Sequence, residues 1–469
     1  MDARPNIMKI PNFRWLIITL VFLAAVLNYI DRQTLSALAP TIQHDLGLTD
    51  RDYGNIVNIF LVAYTLSYLI SGRMVDKLGT RLGMAVFVAF WSVSNMLTTA
   101  AHGVRSMGFF RFMLGLGEAG VWPAASKSIS EWFPARERAL AIGVYTMGST
   151  VGATVAPYIV IPLAAFPFAT RMPLVSNLFG EGAGWRMAFF LTGLAGLLWL
   201  VPWLLVYRQP RQSRFATGGE LKLLDDSNAE EAASAGSVVN EPAWGWKKIF
   251  SSRVVWLLLL GRLVTDPAWY FFQFWFPKFL HSERGLDQSQ LTITWIVYAA
   301  AGAGSIAGGW LSGALIKKRK TAPAASRLWI MLGCALVMPV SIAVVNVTGM
   351  APTMALTAII IVAALAWLIN ISSRVVDVVP KACLGTVFSI VAAGSTVGGI
   401  IMNTLVSAMV SPSASVPVGF LDRAVYAVFG PVLRAVQGGG YTSWFWLMAF
   451  LHLAAWLMLY FGRIHKISK

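Results

Sequence analysis

The chain has 469 residues, 57% of them hydrophobic and only 12% charged, against about 25% charged in an ordinary soluble domain. That leaves too little polar surface to cover a water-soluble body of this size, so lipid must cover the outside. The formal charge of +16 forms no basic face interleaved with aromatics, which argues against a nucleic-acid partner. The cysteines, Cys334 and Cys383, give neither a disulfide framework nor a metal spacing.

Along the chain, Arg4, Lys9 and Arg14 precede an apolar stretch at 13–39. It imitates a signal peptide, but the polar run from Asn28 to Gln33 interrupts it and similar segments follow, so the reading is an uncleaved first span. Further segments long enough to cross about 30 Å of hydrocarbon fall at 53–73, 81–102, 106–130, 138–163, 185–207, 253–280, 290–316, 325–347, 352–373, 383–410 and 441–463. Continuous apolar runs of this length satisfy their backbone groups as helices. The expected fold class is an all-α integral membrane protein with twelve transmembrane helices.

Most of the 37 Lys and Arg residues cluster between spans on one side, as in Arg73, Lys77 and Arg81, or Lys317, Lys318 and Arg319. The excess sets that side, and both termini, in the cytosol, and predicts a multi-pass protein of the cytoplasmic (inner) membrane. Residues 208–252, with Gly218-Gly219, Asp225-Asp226 and Glu230-Glu231, read as a flexible cytosolic linker. It separates a six-helix bundle at 1–207 from a second at 253–469, two pseudo-symmetric halves able to rock about a central site. The polar stretch 411–440 carries apolar residues at helical spacing and reads as an amphipathic segment on the outer surface.

Between spans two and three runs Gly72-Arg73-Met74-Val75-Asp76-Lys77-Leu78-Gly79-Thr80-Arg81. Here Gly72 would let helices approach, Gly79 would allow a tight turn, and Asp76 could meet a helix N-terminus or an arginine such as Arg136 or Arg138. The plainer reading is a well-capped, positive-inside turn. In span four Arg111, Gly115, Glu118 and Trp122 share one helical face, with Arg111 and Glu118 about 10.5 Å apart along the axis. Charges at mid-helix cost about 2.5–3.5 kcal/mol each on insertion scales, so they point to a polar cavity rather than lipid. A purely structural ion pair is the alternative.

Span one carries Asp31 and Arg32. Asp31 and Arg111 fall at matching depths, so they are expected to pair, leaving Arg32 as a free cation and Glu118 as a separate acid. In span seven Arg262 and Asp266, four apart, form a self-neutralising pair beside the kink-prone Pro267, which favours gating or packing. Tyr270 and Gln273 follow, and Tyr64, Ser149, Asn370 and Ser395 are further polar candidates, each also explicable by helix packing. No nucleophile with its base and no phosphate loop is present, so the chain does not read as an enzyme.

The turn after span two resembles the signature loop of the major facilitator superfamily. The ordered motifs Asn28-Tyr29-Ile30-Asp31-Arg32, Arg111 through Gly120, Trp122-Pro123-Ala124, Glu131 through Pro134, Gly148-Ser149 to Pro157 and Asp266-Pro267 through Lys278 are similar to the anion:cation symporter family, hexuronate and aldonate transporters above all. The resemblance implies proton coupling through Asp31 and Glu118, organised by Arg111, and a substrate carboxylate held by Arg32. It puts Tyr64, Ser149 and Asn370 or Ser395 near the substrate hydroxyls. From the residues themselves, gating is expected at Gly72, Asp76, Arg81, Arg138, Arg262 and Asp266, with protons as the coupling ion, no cofactor, and a monomer. Gly302, Ala364 and Leu365 depart from the hexuronate pattern, so the substrate pocket is altered. An organophosphate exchanger clamped by Arg32 and Arg262, and a non-transporting membrane sensor, are the rival readings.

Overall fold

The structure, a computed structural model, describes residues 9–179, 183–235, 244–319, 323–379, 384–411 and 438–462, with isolated positions between 427 and 435. Most of the expected surface segment at 411–440 lies outside the described residues. Ten stretches among the described residues are each long and apolar enough to cross a membrane. The other two predicted spans are helical as well. Spans two and three form the run Asp50–Leu97, broken at Gly79 with φ 76° and ψ 160°, and span four is split into Val104–Glu118 and Val121–Trp132. The remaining spans are one, Phe13–Ala37; five, Ala135–Ala165; six, Ala183–Val206; seven, Arg253–Phe274; eight, Trp295–Arg319; ten, Met350–Val378; eleven, Leu384–Val410; and twelve, Gly440–Phe461. Span nine runs as Pro323–Val337 and Ser341–Asn346 about a tight turn at Met338–Val340.

The two halves repeat one packing device. In span five, a Cβ on Gly148 or Gly152 would lie 2.6 or 2.4 Å from the carbonyl oxygens of Phe22 and Val26 in span one. In span eleven, a Cβ on Gly394 or Gly398 would lie 2.6 or 2.3 Å from those of Leu259 and Leu263 in span seven. Both are pairs of small residues four apart letting backbones touch, the contact that holds helices together where lipid gives no hydrophobic drive. Spans one with five and seven with eleven are therefore equivalent rigid pairs.

The segment expected to be a flexible linker contains a helix, Gly218–Ala235. Its Glu220 accepts from the Arg14 side chain at 3.2 Å, and Arg14 also pairs with Glu137 at 3.0 Å. Phe215 stacks on Phe13 with centroids 5.2 Å apart. The start of the linker is thus fastened to spans one and five, because a buried arginine needs acids and the linker supplies one.

The glycine notches give a prediction. Gly152→Ala or Gly398→Ala forces a methyl onto a backbone oxygen and should cost about 1–3 kcal/mol, as overpacking does, whereas Gly333→Ala meets open space and should be silent. Thermal unfolding in detergent tests this; equal midpoints for all three would refute the notch.

Candidate functional site

Residues one apart on a helix point about 100° apart, so Asp31 and Arg32 serve different neighbours. Asp31 is fully buried (0% exposed) and turns towards spans three and six. Its Oδ2 accepts from Trp91 Nε1 at 3.1 Å and its Oδ1 from Asn95 Nδ2 at 2.7 Å. The expected direct pair with Arg111 is replaced by a bridge, since Arg111 Nη2 donates to the Asn95 Oδ1 at 3.3 Å. The Arg111 guanidinium also sits 4.7 Å above the Phe189 ring. Asn95 further reaches Thr192 Oγ1 at 2.9 Å, so one amide joins spans one, three, four and six.

Arg32 is correspondingly not a free cation. Its Nε and Nη2 lie 2.8 and 2.7 Å from Glu118 Oε2. The rings of Tyr29 and Tyr64 at 4.7 Å and Phe60 at 5.4 Å wall it in. Glu118, 0% exposed, ends the first segment of span four; its Oε1 is buried with no hydrogen-bond partner among the described residues. Gly115 allows this approach, because a Cβ there would lie 2.6 Å from the Phe60 carbonyl oxygen. A narrow recess beside the pair is lined by Arg32, Arg111, Phe60 and Phe274.

The neighbouring central cavity has a volume of ≈ 570 Å³ and is walled by both halves, with Tyr29, Trp122, Ser149 and Thr150 from the first and Trp269, Tyr298, Gly302 and Leu365 from the second. Tyr29 faces the cavity on one side and Arg32 on the other. Ser149 is in the wall, its hydroxyl donating to the Thr146 carbonyl at 2.6 Å. Tyr64 touches Arg32 instead. Tyr270 stacks on Phe274 at 6.0 Å, with Ser395 beside its hydroxyl, and Gln273 is buried with its Oε1 unpartnered among the described residues. Asn370 donates to the Gly308 and Ala366 carbonyls at 3.1 and 2.9 Å, which makes it a clamp between spans eight and ten.

Among the gating candidates, Gly79 provides the turn, but a Cβ on Gly72 would meet open space; it opens a groove rather than a close helix contact. Asp76 meets Lys127 at 2.9 Å, and Arg81 donates to the Leu204 carbonyl. The Arg138 side chain lies outside the described residues. Arg262 and Asp266 pair within span seven at 2.8 and 2.7 Å as the spacing suggests.

The face opposite the linker is closed by bonds between the halves that sequence reasoning missed. Asp50 pairs with Lys278, Tyr298 donates to Gln33, and Tyr53 donates to the Phe274 carbonyl. Gln288 donates to the Ala37 carbonyl and accepts from Thr41 at 2.9 Å. Deeper along the seam Asn58 meets Thr404 at 3.1 Å and Thr65 meets Thr396 at 2.8 Å. Polar residues scattered over distant helices carry no spacing that pairs them, which is why only the folded chain exposes this set.

Two packed halves, a cavity between them closed towards one face, and charged groups held at its depth define a multi-pass, all-helical membrane fold. Residues 21–403 match the Major Facilitator Superfamily, and the chain belongs to that family. It is 32% identical over 304 residues to the hexuronate transporter of Escherichia coli K12, spanning 65% of this chain and 66%, just under two thirds, of the relative. It is 31% identical over 305 residues to the galacturonate transporter of Dickeya chrysanthemi (65% and 82%), and 28% identical over 323 residues to the D-galactonate transporter of Escherichia coli O6:H1 (68% and 71%). The fold resembles that of a bacterial homologue of the human lysosomal transporter Spinster in an inward-facing, occupied conformation, with TM-score 0.73, 19% identity and 97% of each chain covered. It also resembles the inward-open xylose transporter XylE from E. coli, with TM-score 0.68, 15% identity and 95% of each chain covered.

Removing the Asn95 amide strands a buried carboxylate and a buried guanidinium together, at about 1–3 kcal/mol or more for charged groups. Asn95→Ala should therefore lower the thermal midpoint in a detergent melt clearly below wild type; an unchanged melt would show that the bridge carries no weight.

Proposed function

We propose that this protein is a proton-coupled symporter of a small organic anion, working by alternating access in the cytoplasmic membrane with both termini and the cavity mouth on the cytosolic side. The anion is a carboxylate of about the size of a sugar acid, and the names of the relatives put hexuronates and aldonates first among compounds to test. The observation that carries this reading is the Arg32–Glu118 pair: one carboxylate oxygen is held by the guanidinium, while the other is buried with no hydrogen-bond partner among the described residues.

A buried pair is neutral as a unit, and loss of either charge leaves the other exposed to a dry environment at about 3–5 kcal/mol. Protonating Glu118 therefore creates a demand for a new anion at Arg32, and a substrate carboxylate meets it. The reverse step follows when the substrate leaves: Arg32 recaptures Glu118 and the proton departs. The proton and the anion thus occupy the site together or not at all, which is the condition for symport. Asp31, Asn95 and Arg111 hold span one against spans three, four and six so that Arg32 stays in reach of Glu118. An exchanger clamping phosphate between Arg32 and Arg262 is disfavoured, because Asp266 already occupies Arg262.

In proteoliposomes, Glu118→Gln should abolish accumulation of a carboxylate substrate driven by a pH gradient while leaving counterflow exchange measurable. Accumulation against a gradient by that variant would sink the coupling role. Arg32→Ala should weaken binding of carboxylates by at least about a hundredfold, on the order of 3 kcal/mol for a charge-assisted contact; unchanged affinity in a titration would exclude Arg32 as the anion site.

A further inference from the structure

The cavity wall is chemically lopsided. On the first half's side the hydroxyls of Tyr29, Ser149 and Thr150 stand among Trp122 and Met147, with Arg32 behind Tyr29. On the second half's side stand Ile306, Leu365, Leu368, Ile369 and the Trp269 ring. Hydroxyls of both halves in the wall already donate within the protein: Ser149 to the Thr146 carbonyl at 2.6 Å, Tyr298 to Gln33, and Ser305 to the Ala301 carbonyl at 2.9 Å. At the seam Gly302 adds no polar group, and a Cβ there would lie 3.1 Å from Thr150 Cγ2 across the halves, a tight contact.

From this asymmetry we propose that the cavity selects carboxylates whose body beyond the acid group is apolar, the arylacetate and cycloalkyl-carboxylate class, over polyhydroxylated hexuronates and aldonates. The inference rests on the carboxylate reading given above and narrows it. With its acid group directed to Arg32, a bound anion of this size turns the rest of its body to the leucine and isoleucine wall. Each sugar hydroxyl placed there gives up its bonds to water without replacement, whereas an apolar ring gains by leaving water. The ≈ 570 Å³ volume falls within the usual span of small-molecule sites, so shape does not reject either class and the wall chemistry decides.

The test uses the full chain in lipid nanodiscs, with the fluorescence of Trp122 and Trp269 in the wall reporting occupancy, titrated separately with phenylacetate and D-glucuronate. Phenylacetate should bind at least about tenfold more tightly, the scale on which apolar pockets discriminate. Leu368→Gln and Ile306→Gln should each narrow that ratio without loss of Arg32 dependence. Glucuronate binding as tightly as phenylacetate, and lost in Arg32→Ala, would overturn the selectivity while the carboxylate reading stands. An unchanged ratio in both wall variants would overturn it as well. Binding of neither probe, or binding indifferent to Arg32→Ala, would overturn both readings together.

Discussion

The arrangement depends on one contact, the ion pair between Arg32 of span one and Glu118 of span four. Two ionised groups at bilayer depth are tolerable only when each neutralises the other, and mid-helix charges cost about 2.5–3.5 kcal/mol apiece on insertion scales. The helices are shaped to make that contact. Gly115 admits the turn at 60–64, whose aromatic rings wall the guanidinium, and span four breaks immediately after Glu118. The pair fixes the resting geometry, and in the symport proposed above a substrate carboxylate takes over one half of it.

Around that pair lies a stiffer framework. The glycine notches lock span five to span one and span eleven to span seven, and Asn95 ties the Asp31 face of span one to three neighbours. Packed backbones of this kind do not deform gradually. In the alternating access proposed above, motion is therefore confined to the seam where the halves meet, with the two locked helix pairs turning as units.

Much of this could be read from the residues. Long apolar runs and clustered Lys and Arg reveal the spans and the central division, and charges such as Asp31, Arg32, Arg111 and Glu118 are conspicuous because lipid makes them expensive. The four-residue spacing of Arg262 and Asp266 places them on one face, and they do pair. What the chain order does not reveal is partner choice between helices. Matching depth suggested Asp31 with Arg111, yet depth leaves the helix rotation undetermined, and a turn of about 100° per residue sends Arg32, not Asp31, to the neighbouring charge. Asn95 and Asp50 pass unnoticed for the same reason, since their meaning lies in residues far away along the chain. Gly72 misleads in the opposite direction: a glycine in a familiar motif suggests contact, but open space surrounds it.

The closure opposite the linker is built from Asp50 with Lys278, Gln288 with Thr41 and the Ala37 carbonyl, and Tyr298 with Gln33. Every group in it is one that water can satisfy equally well. Parting such a zip trades protein partners for solvent at little net enthalpy, whereas a greasy seal of the same area would resist wetting and stick. On the alternating-access reading proposed above, a doorway held by polar handles opens at small cost each time.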